Sequence, residues 1–137
     1  MARVLAIDYG KKRTGLAVTD PLQLIATGLT TIQSQTLIPY LKKYFETEQV
    51  ELILIGEPKN LDGGDTHGTA LVTECVRILQ KHFPDMPLKK IDERFTSKMA
   101  FQTMIDSGLK KKDRQNKALV DEISATIILQ EFLRNKF

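Results

Sequence analysis

Cysteine is nearly absent from this chain: Cys75 is the single one among 137 residues, so an internal disulfide is excluded and so is a thiolate metal cluster. Its apolar neighbours Leu71, Val72 and Leu79 predict an inert core thiol, not a nucleophile. Long hydrophobic runs are also missing. The apolar stretch that opens at Val4 meets Asp8 almost at once, so neither a signal-peptide core nor a membrane span is expected, and a cytoplasmic protein without membrane partners is. No low-complexity tract or internal repeat occurs. With 42% hydrophobic and 27% charged residues, residues 1–137 are expected to form one domain around one core.

Net charge of one sign is scarce too, at +3, but its distribution is uneven. Lys110, Lys111, Lys112, Arg114 and Lys117 crowd one short segment, and Lys11, Lys12 and Arg13 form a second cluster behind the first apolar run. Lysine runs are most often solvated surface; clusters of this density also attract polyanions, nucleic acid foremost.

The apolar pattern gives the element order. Val4 to Asp8 and Thr14 to Thr19, joined by Tyr9-Gly10-Lys11-Lys12-Arg13, read as a hairpin, with a third strand over Ile25 to Ile32. Leu37, Ile38, Leu41, Tyr44 and Phe45 stand at helical spacing, with Thr36 as the expected N-cap and Pro39 in the first turn. Leu52-Ile53-Leu54-Ile55 is the continuous run of a strand buried on both faces, ending at Gly56. Positions 71, 72, 75, 76, 79 and 83 describe an amphipathic helix closed by Pro84. Leu88 to Asp92 is a short strand. Thr96 or Ser97 caps a helix through Met104 and Ile105 to Gly108, and a final helix runs to about Asn135. The expected fold is α/β: a mixed five-stranded sheet, three strands antiparallel and then two parallel, flanked by helices.

Acids recur at the ends of these elements. Asp8 closes the first strand, where a carboxylate meets the crevice beyond the strand ends and burial is costly without a partner. A turn-capping role is the plainer reading of an Asp near Gly. Asp92-Glu93-Arg94 follows the last strand, and right-handed crossovers bring that end to the same edge. Asp121 lies early in the final helix, with Ser124, Ala125 and Ile128 on its side and Glu122 rotated toward solvent. Hard oxygen donors without a histidine or thiolate cluster suit Mg²⁺ or Mn²⁺ and argue against zinc. Two such ions could activate water and stabilise a leaving oxygen in phosphodiester hydrolysis.

The string Leu5-Ala6-Ile7-Asp8-Tyr9-Gly10-Lys11-Lys12-Arg13-Thr14-Gly15-Leu16-Ala17-Val18-Thr19-Asp20-Pro21 resembles the opening of proteins of the YqgF (RuvX) family. Gly56 to Gly63, Asp92 to Ser97, and Val120-Asp121 leading into Ile127-Ile128-Leu129-Gln130 resemble its later motifs, in the family's order over nearly the whole chain. The resemblance implies a ribonuclease H-like fold and a metal-dependent nuclease. It maps Asp8, Glu93 and Asp121 onto the catalytic acids that hold the metal, and Arg94 and Thr96 onto their polar companions. Substrates implied by the family are the 5′ end of the pre-16S rRNA precursor and four-way DNA junctions. Symmetric cutting of a junction would call for two active sites, hence a homodimer. Glu57 departs from the family, which carries an apolar residue there; a solvent-facing loop glutamate is the favoured reading, and a further metal ligand the other.

Around that site, Lys11, Lys12, Arg13, Lys59, Arg94, Lys110, Lys111, Lys112 and Arg114 are the expected contacts to nucleic-acid phosphates. The loop Asn60 to Asp65 lacks a GxxxxGK[ST] pattern and reads as a rim to the site; His67 reads as a capping or surface residue. Tyr9 and Phe95 are either base-stacking or packing residues. Two alternatives belong to other classes. One is a nucleic-acid or ribosome-biogenesis binding module without turnover. The other is an actin-like or sugar-kinase-type ATP-binding domain, disfavoured because such enzymes enclose the nucleotide between two related lobes and this chain holds one copy of each element.

Overall fold

A computed structural model describes residues 2–57, 67–92 and 117–136. Strands β1 (Arg3–Tyr9), β2 (Arg13–Thr19) and β3 (Ala26–Gln33) are followed by a single 3-10 turn, Ser34–Thr36, and by helix α1 (Leu37–Thr47). Strand β4 (Val50–Glu57), helix α2 (His67–His82), strand β5 (Leu88–Asp92) and helix α3 (Lys117–Lys136) complete the described chain. The expected helix between Thr96 and Gly108, the loop carrying Lys59 and the basic residues 110–114 lie outside the described residues.

The five strands form one sheet in the order β3-β2-β1-β4-β5. β1 pairs antiparallel with β2 and β2 with β3, whereas β1, β4 and β5 run parallel. The mixed sheet read from the sequence is therefore the one observed. Its inner strands are apolar throughout because both faces are covered. On one face Leu5, Ile7, Leu16, Val18, Ile53 and Ile55 pack against Leu37, Leu41, Val72, Cys75 and Leu79 of α1 and α2. On the other, Val4, Ala6, Ala17 and Leu54 pack against Ala125, Ile128 and Leu129 of α3.

α3 crosses the sheet instead of following a strand. Near its start Glu122 lies against Gly28 of β3, so closely that a Cβ there would stand 2.9 Å from the Glu122 Cγ. Ten residues on, the Lys89 ammonium of β5 sits over the Phe132 ring, 5.4 Å from its centroid. About 15 Å of helix therefore spans the sheet from edge to edge. This corrects the expectation that Glu122 faces solvent: a helix laid across all five strands buries a wider arc than one seated in a single groove.

Thr36 occupies the N-cap position of α1, but its side chain makes no cap bond. The chain enters α1 through the 3-10 turn, and the Thr36 hydroxyl donates back to the Gln33 carbonyl at 2.6 Å.

Between β2 and β3 the chain turns around Asp20, whose carboxylate accepts from the amides of Leu22 (3.2 Å), Leu24 (2.8 Å) and Ile25 (2.8 Å). Gln23 takes a left-handed backbone at φ 58°, a conformation rare for a side chain of this kind. Its amide is buried, donating to the Ala2 carbonyl at 2.9 Å and to the Glu51 carboxylate. These amide bonds, that of Ile25 first, hold the Asp20 carboxyl below the usual carboxylate range. A depressed folded pKa stabilises above the unfolded value of about 3.9, and that contribution is lost as pH falls through the folded value. Asp20→Ala should therefore melt below the unsubstituted protein by a constant margin from about pH 5 to 7, and the two should converge in strong acid. A margin that survives at about pH 2 in thermal melts would contradict this.

Candidate active site at the carboxyl end of the parallel strands

Asp8 is the penultimate residue of β1, the middle strand of the sheet. Alternation along a strand decides which face a side chain joins. Leu5 and Ile7 belong to the face covered by α1 and α2, Val4 and Ala6 to the face covered by α3; Asp8 continues the second series. Its cross-strand partner on β2 is Gly15, which offers no side chain to crowd the carboxylate. Asp8 is half-buried.

Asp121 stands in the first turns of α3, one turn before Ala125 and about two before Ile128 and Leu129, the three residues that meet the sheet. Helical spacing thus puts position 121 on the stripe that packs over the face bearing Asp8; its side chain lies outside the described parts. Glu93 and Arg94 follow directly on Asp92, the last residue of β5, and are themselves outside the described residues. Ile91 packs on the α3 face, so position 93 continues that series if the strand spacing holds for two more residues.

Glu57 ends β4, and its parity follows Ile53 and Ile55, on the α1 and α2 side. It is a strand residue, not a loop residue, with a side chain 13% exposed and its carboxylate 3.5 Å from the Lys90 ammonium. Among the described residues no group of three His, Cys, Asp or Glu side chains could hold a metal ion.

The turn after β1 carries Lys11 and Lys12, both exposed, and Arg13, half-buried. It is held from behind by Ser34, which sequence reasoning missed: a serine just past an edge strand carries no signal of its own. The Ser34 amide donates to the Lys12 carbonyl at 2.9 Å, and its hydroxyl to the Gly10 carbonyl at 2.5 Å. Ser34 and Thr14 also share a 2.7 Å hydroxyl contact; the Ser34 proton is already committed to Gly10, so Thr14 donates. The Gly10 amide closes the turn on the Arg13 carbonyl at 3.0 Å. Only glycine fits there, since a Cβ would lie 2.5 Å from that carbonyl oxygen.

Two other candidates take structural roles. Burial pushes the Cys75 thiol up to about 12, which leaves no thiolate near neutrality. Tyr9 packs on the core beside Leu37, Ile38 and Cys75. Burial, reinforced by Cys75 and Glu74, raises its phenol above the ordinary range, and this places Tyr9 among the packing residues. His67 opens α2; Phe95 lies outside the described residues.

Known proteins agree with this architecture. RuvC of Thermus thermophilus, in a structure with a Holliday junction substrate, aligns with a TM-score of 0.56 at 15% identity, covering 99% of this chain and 96% of that one. A second structure of the same protein gives a TM-score of 0.54 at 15% identity, over 98% of this chain and 96% of that one. The fold is thus ribonuclease H-like. In sequence, a protein of Flavobacterium psychrophilum named "Putative pre-16S rRNA nuclease" is 62% identical over 136 residues, 99% of either chain. A Porphyromonas gingivalis protein of the same name is 47% identical over 135 residues, 98% of either chain. An acid closing the middle strand, a helix laid over it and near-full-length likeness converge: the chain belongs to the family described as RuvX, Holliday junction resolvase, which it matches over residues 2–135.

Proposed function

We propose that this protein is a divalent-metal-dependent endonuclease that hydrolyses phosphodiester bonds in structured nucleic acid. The observation that carries the reading is the placement of Asp8. It is an acid at the carboxyl end of the middle strand, on the face crossed by the helix that bears Asp121. Asp8, Glu93 and Asp121 are the residues that would hold the metal, a hard-oxygen donor set suited to one or two Mg²⁺ or Mn²⁺ ions. A divalent cation held there supplies Lewis-acid stabilisation of the charge that builds on the scissile phosphate. Glu57 is left to its ion pair with Lys90.

The chain's own residues do the positioning. β1 is hydrogen-bonded on both sides, to β2 and β4, so the Asp8 backbone cannot drift, and geometry of this tightness is what a reacting phosphate requires. Lys11, Lys12 and Arg13 on the braced turn, with Lys59, Arg94, Lys110, Lys111, Lys112 and Arg114, neutralise flanking phosphates without reading bases. The names of its relatives support pre-16S rRNA as the substrate, and the family description supports branched DNA. Cutting a four-way junction symmetrically would use two copies of the chain. A cytoplasmic setting fits such substrates, and no helix among the described residues is long and apolar enough to cross a membrane.

The test is cleavage of labelled pre-16S rRNA fragments and four-way DNA junctions during a Mg²⁺ or Mn²⁺ titration. Metal-dependent cleavage of either substrate, lost in Asp8→Asn, supports the reading; cleavage that is indifferent to metal, or none of either substrate, contradicts it.

A further inference from the structure

Behind the basic turn the surface dips into an open depression of about 390 Å³ lined by Lys11, Lys12, Arg13, Gln33 and Gln35. It lies at the same end of the sheet as Asp8, because the turn leaves β1 directly after Tyr9. Three features set it apart from an ordinary lysine patch. The turn is fixed by the buried Ser34 and Thr14 hydroxyls, so the backbone under the cations is already ordered before a polyanion arrives, which lowers the entropic cost of binding. The two glutamines flank Ser34 in sequence, so the residue that holds the turn also sets their place beside it. Finally, the glutamines bond to each other, the Gln35 Nε2 donating to the Gln33 Oε1 at 3.3 Å.

That amide pair decides what the depression can accept. One bond between two carboxamides uses one donor and one carbonyl, so whichever amide donates, the pair turns N–H donors and one carbonyl acceptor outward. The lysines, the arginine and the amide N–H groups all suit phosphate oxygens. The outward carbonyl does not: a deoxyribose-phosphate backbone offers acceptors alone, and covering that carbonyl with it leaves an acceptor without a hydrogen. A ribose supplies the missing donor in its 2′-hydroxyl, the group by which proteins tell RNA from DNA.

From this we infer that the braced basic turn and the Gln33–Gln35 pair form a preformed ribose-phosphate subsite that favours an RNA strand over a DNA strand. The inference rests on the nucleic-acid reading above but not on turnover, and its test is built to separate the two. Binding of fluorescent single strands of one sequence is measured by anisotropy with the full chain carrying Asp8→Asn, so that cleavage cannot intervene. Three strands are compared: RNA, 2′-O-methyl RNA, which lacks the donor, and DNA.

RNA should bind about fivefold tighter than either of the others, the worth of one hydrogen bond. Adding Gln33→Ala and Gln35→Ala should bring the three affinities within about twofold while leaving the salt dependence unchanged; both side chains are exposed, so the fold should hold. Lys11→Ala with Lys12→Ala should instead weaken all three strands alike and lower the salt slope by up to about two. Equal binding of the three strands, a preference for DNA, or an RNA preference that survives loss of both glutamines would overturn the subsite. If the unsubstituted chain cleaves nothing while the glutamine-dependent preference is intact, the nuclease reading falls and the subsite stands.

Discussion

Asp8→Asn should lower metal-dependent cleavage at least about a thousandfold, the scale on which a group placed at a reacting centre is felt, and should leave nucleic-acid affinity within a few fold. The two effects separate because they arise in different parts of the sheet end. Cleavage requires a negatively charged oxygen ligand at position 8, and the amide supplies neither the charge nor the second equivalent oxygen. Affinity comes from cations that the substitution does not touch, on the turn that Ser34 and Gly10 hold in place. The substitution is isosteric and lies at the end of a strand whose pairing extends on both sides, so the fold should not report it. Single-turnover cleavage and anisotropy on the same substrate measure the pair of effects, and comparable losses in both would show that Asp8 acts through binding or folding.

Leu54→Ala should cost about 3 kcal/mol and lower the melting temperature by roughly 10 °C. Leu54 is fully buried on β4, which pairs with β1 on one side and β5 on the other. Its side chain lies under α3 among Val4, Ala6, Ala125, Ile128 and Leu129. Two of those neighbours are alanines, and the strand on either side is pinned, so the surroundings cannot close over the missing methyl groups and the cavity term stays near its full size. Because α3 carries Asp121 across this patch, the same variant should also lower cleavage at temperatures where it remains folded. Thermal melts by circular dichroism give the first number; a loss below about 1 kcal/mol would mean that α3 is not packed on the sheet as described.

The strands were legible because burial on two faces leaves its own mark: Val4 to Ile7 and Leu52 to Ile55 are apolar without alternation, and both fall on the inner strands β1 and β4. Asp8 was legible for the same reason, as the charge that interrupts such a run. What the sequence could not disclose is which face each acid joins. Glu57 reads as a loop residue until β4 is seen to run through it and Lys90 of β5 is seen beside it. Glu122 reads as exposed until α3 is laid across β3, where Gly28 makes room for it. Thr36 has the right type for a cap, yet the 3-10 turn ahead of it redirects its hydroxyl to Gln33. The buried Gln23 with its left-handed backbone, and Ser34 behind the basic turn, are set by partners 28 and 24 residues away in sequence, and no local pattern encodes contacts of that range.

The account turns on whether three carboxylates distant in sequence share one cation. Crystals of the protein grown with Mn²⁺, with anomalous density recorded for the metal, address that directly. The expected result is an anomalous peak within about 2.3 Å of carboxylate oxygens from Asp8, Glu93 and Asp121. Those three side chains held apart with no metal between them, or a Mn²⁺ ion bound elsewhere on the chain, would contradict it.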